Sequence, residues 1–525
     1  MLDRMTPDDI RERSFQLNLG IREDEIDEYL ALANTIIGVM DALDVSAGRT
    51  STVDPGQPDV VRTIEHVTDE ERARRDPLNA IVRFTRVKQV GASGPLAGKR
   101  VVVKDSFAVA GVPMTCGSRV LQGFVPTQDS TVAARLLAAG AEIVGMANME
   151  NMAFSGGGET SYYGPIGNPA DPTRVSGGSS GGSAAALGYP WVDIGIGTDQ
   201  GGSIRIPASF CGVLGFKPTH GLVPYSGGIG LDRTIDHVGP FSRDVKTMAE
   251  TMAVVSGPDG DDPRQDAHDF SAVLPGLRAV ADGSASLDLK GVRIGLPREA
   301  WGEAAGIDPR VDEQIRAAVG RFEALGAELV EVSTPWHARI GPAAFSMFVE
   351  GLLATVQGAG GLTWFGKMWP EAALALGRGL TTGATDLSAN VKAALMVGTM
   401  LRERYFHVTY AEAMNQRRAA KAEIDAVLQT VDVLAMPTLS ITAYPIDPSL
   451  GLNESIWRGW SMLPNTPIAD MTGHPSLSLP TSKVDGLPCG TMLTGRTMGD
   501  HELLRLAAAY EAAHGWELGG AGQIG

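Results

Sequence analysis

The sequence predicts an α/β fold, in which a β-sheet is covered by helices on both faces. The composition is that of a globular protein, with 43% apolar and 20% charged residues in a chain of 525. Short apolar strands alternate with helices, which is the pattern of a sheet buried on both sides. The predicted strands are 100–103, 143–145, 191–196, 292–295, 328–330, 433–437 and 476–480, and the predicted helices are 130–140, 308–325 and 502–513.

The first 80 residues are expected to form a separate N-terminal α-helical segment. Thr6 is placed to cap a first helix, with Pro7 at its first position. A broad apolar stripe predicts a second helix over residues 24–43. Residues 46–58 are polar and contain Gly and Pro, which indicates a connector. The wide apolar face must be buried, either on the main body or on a second copy of the chain.

The main body of the chain is expected to span residues 81–525. Between about 280 and 430 it is more helical and richer in large apolar side chains. One interpretation is a helical layer that covers the sheet. A second, compatible with the first, is that part of this layer lines an apolar substrate pocket. The side chains concerned are Trp336, Phe345, Met347, Phe348, Trp364, Phe365, Met368 and Trp369.

Charge and cysteine content exclude several classes of protein. The net charge of −17 argues against a nucleic-acid or anionic-membrane partner. Cys116, Cys211 and Cys489 form no CxxC pair, which argues against a zinc site or a disulfide framework. The N-terminus lacks the apolar core of a signal peptide, and no apolar run approaches the ~20 residues of a membrane helix. We therefore expect a cytoplasmic protein.

Two stretches, 174–183 and 197–205, are dense in glycine and serine. This composition is typical of flexible linkers. It also suits a backbone cradle, whose N–H groups and hydroxyls approach a bound group. A helix-forming run at 184–187 and the strand at 191–196 follow the first stretch. Because a linker is seldom found between a helix and a strand within one domain, these flanks favour the cradle.

The glycine-serine run also contains a weak nucleophile-elbow motif. Residues 177–181 match G-x-S-x-G, but an elbow requires a strand immediately before it, and residues 168–174 predict a loop. His474 and His501 are late enough in the chain to complete a Ser-His-Asp triad. His474, however, lies in Gly-His-Pro, which is more simply a turn.

Lys104, at the end of the strand 100–103, is a candidate general base. A lysine at a strand end is usually solvated, but two Ser-Gly stretches make this one a candidate partner for a serine. Serine requires an activating group to act as a nucleophile, and a Ser-Lys arrangement is one known solution. The amine must be neutral, so burial or polar neighbours must lower its pKa from the usual ~10.4.

These residues, with others downstream, carry a resemblance to the amidase signature family. The resemblance covers about residues 80–515, and the spacing of Lys104, Ser179 and Ser203 agrees with the family's pattern. The matching motifs are 102–105 (Val-Val-Lys-Asp), 176–183, 197–208 (Gly-Thr-Asp-Gln-Gly-Gly-Ser-Ile-Arg-Ile-Pro-Ala), 212–219, 234–240, 465–467, 473–475 and 486–488.

The resemblance implies a large mixed β-sheet core and a Ser–cis-Ser–Lys triad. Ser203 would be the acyl nucleophile, Ser179 would relay protons after a cis peptide bond, and Lys104 would be the terminal base. Neither a metal nor an organic cofactor is implied. Asp199 and Arg205 are expected to pair structurally. The implied oxyanion donors are the N–H groups of Gln200, Gly201, Gly202 and Ser203, and the acyl-pocket candidates are Phe154 and Ser155.

Within the family, the chain resembles stand-alone bacterial amidases of broad range, including those of nitrile pathways. The apolar region 335–375 favours this subgroup, because a glutamine site would need charged groups for the amino-acid ends. We therefore expect hydrolysis of a small aliphatic or aromatic carboxamide, with a hydrazide or anilide also open. The expected partners are a small-molecule amide and a second copy in a homodimer, with no nucleic acid and no membrane.

Two other functions remain open at this point. One is an amidotransferase subunit that releases ammonia from glutamine in a tRNA-linked complex. The other is a catalytically silent binding protein, against which the intact Lys104, Ser179 and Ser203 argue.

Overall fold

The computed structural model describes residues 2–41, 59–358, 366–520 and 524. Across these residues, twelve strands form one large mixed sheet, which confirms the predicted α/β class. The strands are β1 (Val60–Ile64), β2 (Ile81–Gln89), β3 (Arg100–Lys104), β4 (Glu142–Ala147), β5 (Ile194–Asp199), β6 (Leu214–Lys217), β7 (His237–Ser242), β8 (Arg293–Pro297), β9 (Glu328–Val332), β10 (Val433–Pro437), β11 (Ser476–Val484) and β12 (Leu487–Gly495).

The strands lie in the order β1-β2-β4-β3-β5-β7-β6-β11-β12-β10-β8-β9. β3 runs parallel to β4 and β5, and β8 runs parallel to β9 and β10. The other neighbouring pairs are antiparallel. Val101 of β3 pairs with Ile194 of β5, and Val103 pairs with Ile196, so the carboxyl ends of these two strands lie side by side.

Helices pack against this sheet, and none in the described ranges is long and apolar enough to cross a membrane. They are α1 (Pro7–Gln16), α2 (Ile26–Met40), α3 (Asp69–Arg75), α4 (Thr131–Ala138), α5 (Gly181–Ala185), α6 (Arg205–Cys211), α7 (Val245–Val255), α8 (Val273–Ala281), α9 (Pro309–Ala324), α10 (Pro335–Arg339), α11 (Gly341–Gly358), α12 (Pro370–Gly383), α13 (Ala389–Tyr405), α14 (Val408–Val427), α15 (Leu452–Arg458), α16 (Pro467–Thr472) and α17 (Asp500–His514).

Local signals in the sequence account for several of these boundaries. The Ser130 side chain accepts a hydrogen bond from the Ala133 N–H and caps α4, as its position predicts. β5 begins three residues later than predicted, at Ile194. The chain forms a turn at residues 190–191, and the Asp193 carboxylate accepts hydrogen bonds from the N–H and the guanidinium of Arg100 just before the strand begins.

The N-terminal segment is helical only in part. α1 and α2 form as predicted, but Leu43 and the predicted connector at 46–58 lie outside the described residues. β1 lies within the range expected to be helical and pairs antiparallel with β2. Its alternation of half-buried and exposed residues suits an edge strand, which the search for helical periodicity missed. The sheet therefore begins before residue 80.

Helices α11 to α14 form the layer expected between residues 280 and 430. Met347 and Phe348 are buried, whereas Trp336 and Trp369 are half-buried against the core. Phe345 and Met368 are exposed. The predicted members Trp364 and Phe365 lie outside the described residues. Most of the described aromatic side chains therefore cover the core, and Phe348 also lines the cavity described below.

Gly182 in α5 lies directly on the backbone of two neighbouring segments. Its N–H donates to the Asn148 carbonyl at 3.0 Å. A Cβ atom at this position would overlap the backbone of Asn148 and the carbonyl oxygen of Ala80, which cannot move aside as a flexible side chain can. This contact holds α5 and the serine-rich loop before it against the sheet.

We expect Gly182→Ala to lower the free energy of unfolding by about 3 kcal/mol, because it overpacks this contact. Chemical denaturation measures the change. Gly320→Ala, inside α9, is the matched control, because its added methyl group would meet no atom within 4 Å. It should be neutral or stabilise by up to about 1 kcal/mol through helix propensity. Equal unfolding free energies for the two variants would contradict the close packing of α5.

Candidate active site

The candidate site lies where the parallel strands β3 and β5 end. Lys104 is the last residue of β3, and Thr198 and Asp199 are the last two residues of β5. Carboxyl ends of neighbouring parallel strands meet at one edge of a sheet, which is a frequent place for ligand sites. The serine-rich loop before α5 lies across the same edge and brings Ser179 and Ser180 to the lysine.

Lys104 is completely buried among hydroxyl groups. Its Nζ lies 2.7 Å from Ser179 Oγ, 2.9 Å from Ser180 Oγ and 2.7 Å from Thr198 Oγ1. An ammonium has three protons to donate, so these three acceptors match it. Burial lowers the pKa of Lys104 to about 7, although the negative charge of Asp199 raises it. The amine is therefore able to change its charge state near neutral pH.

Only some of these hydroxyls can pass a proton to the amine. Ser180 Oγ donates to the Thr198 carbonyl at 3.0 Å and accepts from the Thr198 N–H at 3.0 Å. Its single proton is thereby committed to the backbone. Ser179 makes no competing side-chain donation to another described residue, and it follows a cis peptide bond between Gly178 and Ser179. The arrangement allows proton exchange between Ser179 and Lys104.

Ser203 lies at the end of the loop between β5 and α6. It is 8% exposed, and its carbonyl oxygen accepts a hydrogen bond from the Ser180 N–H at 3.3 Å. Its hydroxyl makes no hydrogen bond with another described side chain. The structure therefore joins Lys104 directly to Ser179, and it joins Ser203 to the same loop through the backbone.

One of the four predicted oxyanion donors already donates its N–H to another group in the protein. The Gly202 N–H donates to the Asp199 carboxylate at 2.5 Å, so this donor is occupied, contrary to its implied role. A buried carboxylate requires hydrogen-bond donors. The Asp199 carboxylate also accepts hydrogen bonds from the N–H groups of Ile204 and Arg205. No acceptor among the described residues engages the N–H groups of the other three predicted donors, Gln200, Gly201 and Ser203.

A buried ionic network holds this loop from behind. The Arg205 guanidinium contacts Asp199 at 3.0 Å and Asp470 of α16 at 2.6 Å, and all three side chains are fully buried. Burial alone would raise the pKa of Asp199, but the charge of Arg205 lowers it to about 2. Arg205 also donates to the Thr466 carbonyl, and Thr466 Oγ1 donates to the Gly201 carbonyl at 2.6 Å. The predicted structural pairing of Asp199 with Arg205 is thus present.

Ser203 lines a small, partly open cavity, together with the predicted pocket residues Phe154 and Ser155. Phe154 packs edge-on against Trp460, with ring centroids 5.2 Å apart. No charged side chain among the described residues lines the cavity. Phe348 belongs to the aromatic region noted in the sequence, but no local pattern marks the others, which reach the cavity through tertiary packing. The lining residues that sequence reasoning missed are Ala153, Ile206, Leu231, Trp460 and Leu463.

The competing Ser-His-Asp interpretation finds no support. His474 is bonded to Thr472 and to Asp425 of α14, and not to a motif serine. His501 lies beside Glu502 at the start of α17. Two further motif serines, Ser176 and Ser183, donate to backbone carbonyls.

Several known proteins resemble this chain in sequence and in fold. The sequence model of the Amidase family matches residues 75–504. The A subunit of glutamyl-tRNA(Gln) amidotransferase from Methanosarcina mazei is 34% identical over 443 residues, which are 82% of this chain and 88% of the relative. The crystal structure of the protein of that name from Thermotoga maritima is 30% identical, with a TM-score of 0.68, and the match covers 85% of this chain and 90% of that one.

A further solved structure is that of a bacterial aryl acylamidase of the amidase signature family. It is 25% identical with a TM-score of 0.67, and the match covers 85% of this chain and 91% of that one.

These relatives correct the expected subgroup, function and partners. The expectation of a stand-alone amidase for small carboxamides is wrong, because the curated relatives carry the name of an amidotransferase component. The apolar region 335–375 suggested a stand-alone amidase, but most of the described aromatic side chains in this region cover the core. The expected homodimer without a nucleic-acid partner is contradicted by the same names. Net charge describes the whole molecular surface, and it does not exclude a complex that contains tRNA.

The network behind the loop gives a test of stability. We expect Arg205→Met to lower the free energy of unfolding by about 3–5 kcal/mol, because it leaves the buried Asp199 carboxylate without its ion-pair partner. Chemical denaturation of the purified variant measures this loss.

Arg310→Met is the matched control, because Arg310 also contacts two aspartates, Asp308 and Asp485, but its side chain is 62% exposed. Its loss should cost at most about 1 kcal/mol. Similar losses for the two arginine variants would contradict the role of the buried network.

Proposed function

The chain belongs to the amidase family and is an amide C–N hydrolase, and from this premise we propose that it cleaves the side-chain amide of glutamine. The ammonia released would serve a tRNA-linked amidotransferase complex to which the chain belongs. The observation that carries this proposal is the 34% identity to the A subunit of a glutamyl-tRNA(Gln) amidotransferase over 82% of this chain and 88% of the relative. The buried Lys104–Ser179 pair supports the chemistry.

The proposed reaction begins with Ser203 as the nucleophile. Its hydroxyl attacks the amide carbonyl while Ser179 takes its proton and passes its own proton to the neutral amine of Lys104. Such relays require a base whose pKa lies near the working pH, and a value of about 7 for Lys104 meets this requirement. Because Ser180 keeps its proton on the Thr198 carbonyl, Ser179 is the motif serine suited to the relay.

The N–H groups without acceptors would hold the negative oxygen that forms during this attack. Gln200, Gly201 and Ser203 supply them, and the Asp199–Arg205 network fixes the loop that carries them. The relay then returns a proton to the departing nitrogen, which leaves as ammonia. Water hydrolyses the glutamyl ester on Ser203 by the reverse path, so glutamine and water give glutamate and ammonia.

The lining of the cavity limits how the charged ends of glutamine could be recognised. Glutamine carries an ammonium and a carboxylate, but no charged side chain lines the described cavity. Recognition of the amino-acid ends must therefore use neutral polar groups that are polarised by charges one layer behind, or groups of another protein in the complex.

The direct test of the function is ammonia release from glutamine by the purified protein, with any proteins that copurify. We expect Ser203→Ala to lower kcat by about 10³-fold or more, because the acyl-enzyme cannot form. Ser176→Ala is the matched control, since that hydroxyl donates to the Gly177 carbonyl, and it should retain most of the activity. Wild-type protein that releases ammonia from other amides, but not from glutamine even with glutamyl-tRNA(Gln) present, would refute the proposal.

The proposed base gives a pH dependence. Protonated Lys104 cannot accept a proton, so kcat/KM should rise as pH increases through about 7 and then reach a plateau. The profile is measured between about pH 5.5 and 9 on the wild type. A profile that still rises toward the ordinary lysine pKa of ~10.4 would show that burial does not lower the pKa of the catalytic base to near neutrality. Lys104→Met should lose the activity while its unfolding transition remains cooperative.

A further inference from the structure

The side chain of Gln200 is held in one orientation by the residues behind it. Its Nε2 donates to Asp236 Oδ1 at 3.0 Å and to Tyr225 Oη at 3.2 Å. Asp236 Oδ1 also accepts from the Leu231 N–H at 2.8 Å, so this carboxylate oxygen acts as an acceptor. A carboxamide oxygen cannot face an ionised carboxylate without repulsion, and the amide nitrogen must therefore point toward Asp236.

This orientation leaves the other end of the carboxamide without a partner. Gln200 Oε1 is buried and has no hydrogen bond with any described residue, and the whole residue is only 3% exposed. A buried acceptor without a donor costs free energy, so such groups in native proteins call for a physical explanation. Gln200 is among the residues that line the cavity containing Ser203, so a bound substrate that reaches Oε1 would supply the missing donor.

The carboxylate behind Gln200 favours a cationic donor, although the positive charges of Arg233 and Arg264 also act on this carboxylate. The Asp236 carboxylate polarises the amide through its hydrogen bond with Nε2, and this increases the negative character of Oε1. Burial raises the pKa of Asp236 to about 6, so the carboxylate is ionised at neutral pH. The surrounding cavity wall at Leu231 and Phe348 is apolar, which strengthens the interaction of a charged donor with this single acceptor.

The length of the Gln200 side chain also matches the length of a glutamine substrate. In glutamine, four bonds separate the reacting carbonyl carbon from the α-nitrogen, a span of about 5 Å. Four bonds likewise separate Cα of Gln200 from its Oε1. The residue whose N–H is available to the substrate carbonyl therefore carries a side chain long enough to reach the other end of the same substrate.

We propose that Gln200 Oε1 accepts a hydrogen bond from the α-ammonium group of the substrate and selects amino-acid amides over amides that lack this group. The inference rests on the proposed function and adds a specificity-determining residue to it. Asp236 acts through Gln200 as a positioning residue. Tyr225 shares this task, because its hydroxyl accepts the second hydrogen bond from Nε2.

The test compares glutamine with glutaramate, which has the same reacting amide and no α-ammonium group. For each substrate, kcat/KM is measured as ammonia release by the protein with any proteins that copurify. Gln200→Met removes the acceptor at similar volume. We expect the ratio of kcat/KM for glutamine to that for glutaramate to fall about tenfold or more, mainly through KM for glutamine.

Two further variants keep this test informative. Asp236→Asn retains an acceptor for Gln200 Nε2 but removes the charge, and it should lower the same ratio by a smaller factor. Gln416→Met is the matched control and should leave the ratio unchanged, because Gln416 is a half-buried residue of α14 that does not line the cavity. A Gln200→Met variant that loses equal activity on both substrates overturns the inference alone. Wild-type protein that uses glutaramate but not glutamine overturns both the inference and the proposed function.

Discussion

The burial of the Lys104 amine is the constraint on which the rest of the candidate site depends. β3 and β5 run parallel, so Lys104 and Thr198 meet at one edge of the sheet, and the loop that carries Ser179 closes over them. The protein surrounds this amine with hydroxyls instead of a carboxylate. Hydroxyls satisfy its hydrogen bonds without holding its proton, so desolvation dominates and the pKa falls to about 7. The nearby charges of Asp199 and Arg205 are paired with each other, which limits their effect on the lysine.

Much of this arrangement could be predicted from the sequence. Alternating apolar strands and capped helices predict an α/β fold, because burial on both faces leaves a clear local pattern. The glycine-serine stretches and Lys104 indicate a cradle, since their composition suits no ordinary core. The edge strand β1 escaped prediction because half-buried residues give a weak pattern. The cavity wall at Trp460 depends on residues distant in the chain, which local patterns do not reveal. The Gly202 N–H donates to Asp199, only three residues away, but the sequence does not show how the loop folds back on that carboxylate.

The subgroup could not be derived from composition, and the reason is physical. Aromatic residues between 335 and 375 are equally suited to a substrate pocket and to a layer that covers a sheet, because both environments exclude water. In the described structure most of them belong to the core, and Phe348 serves both purposes. The charged groups expected around an amino-acid substrate are absent from the cavity lining in the described part of the chain. Asp236 instead lies behind Gln200, and its place in the motif 234–240 does not reveal this contact.

The central claim is that Ser203 carries a glutamyl group during turnover. The most direct measurement is mass spectrometry of protein that is mixed with glutamine, quenched in acid within the first turnovers and digested. The account predicts a mass increase of one glutamyl group on the peptide that contains Ser203, and no such increase in Ser203→Ala. A glutamyl group found on Ser179 or on another residue, or ammonia released by the wild type without any acylated peptide, would contradict it.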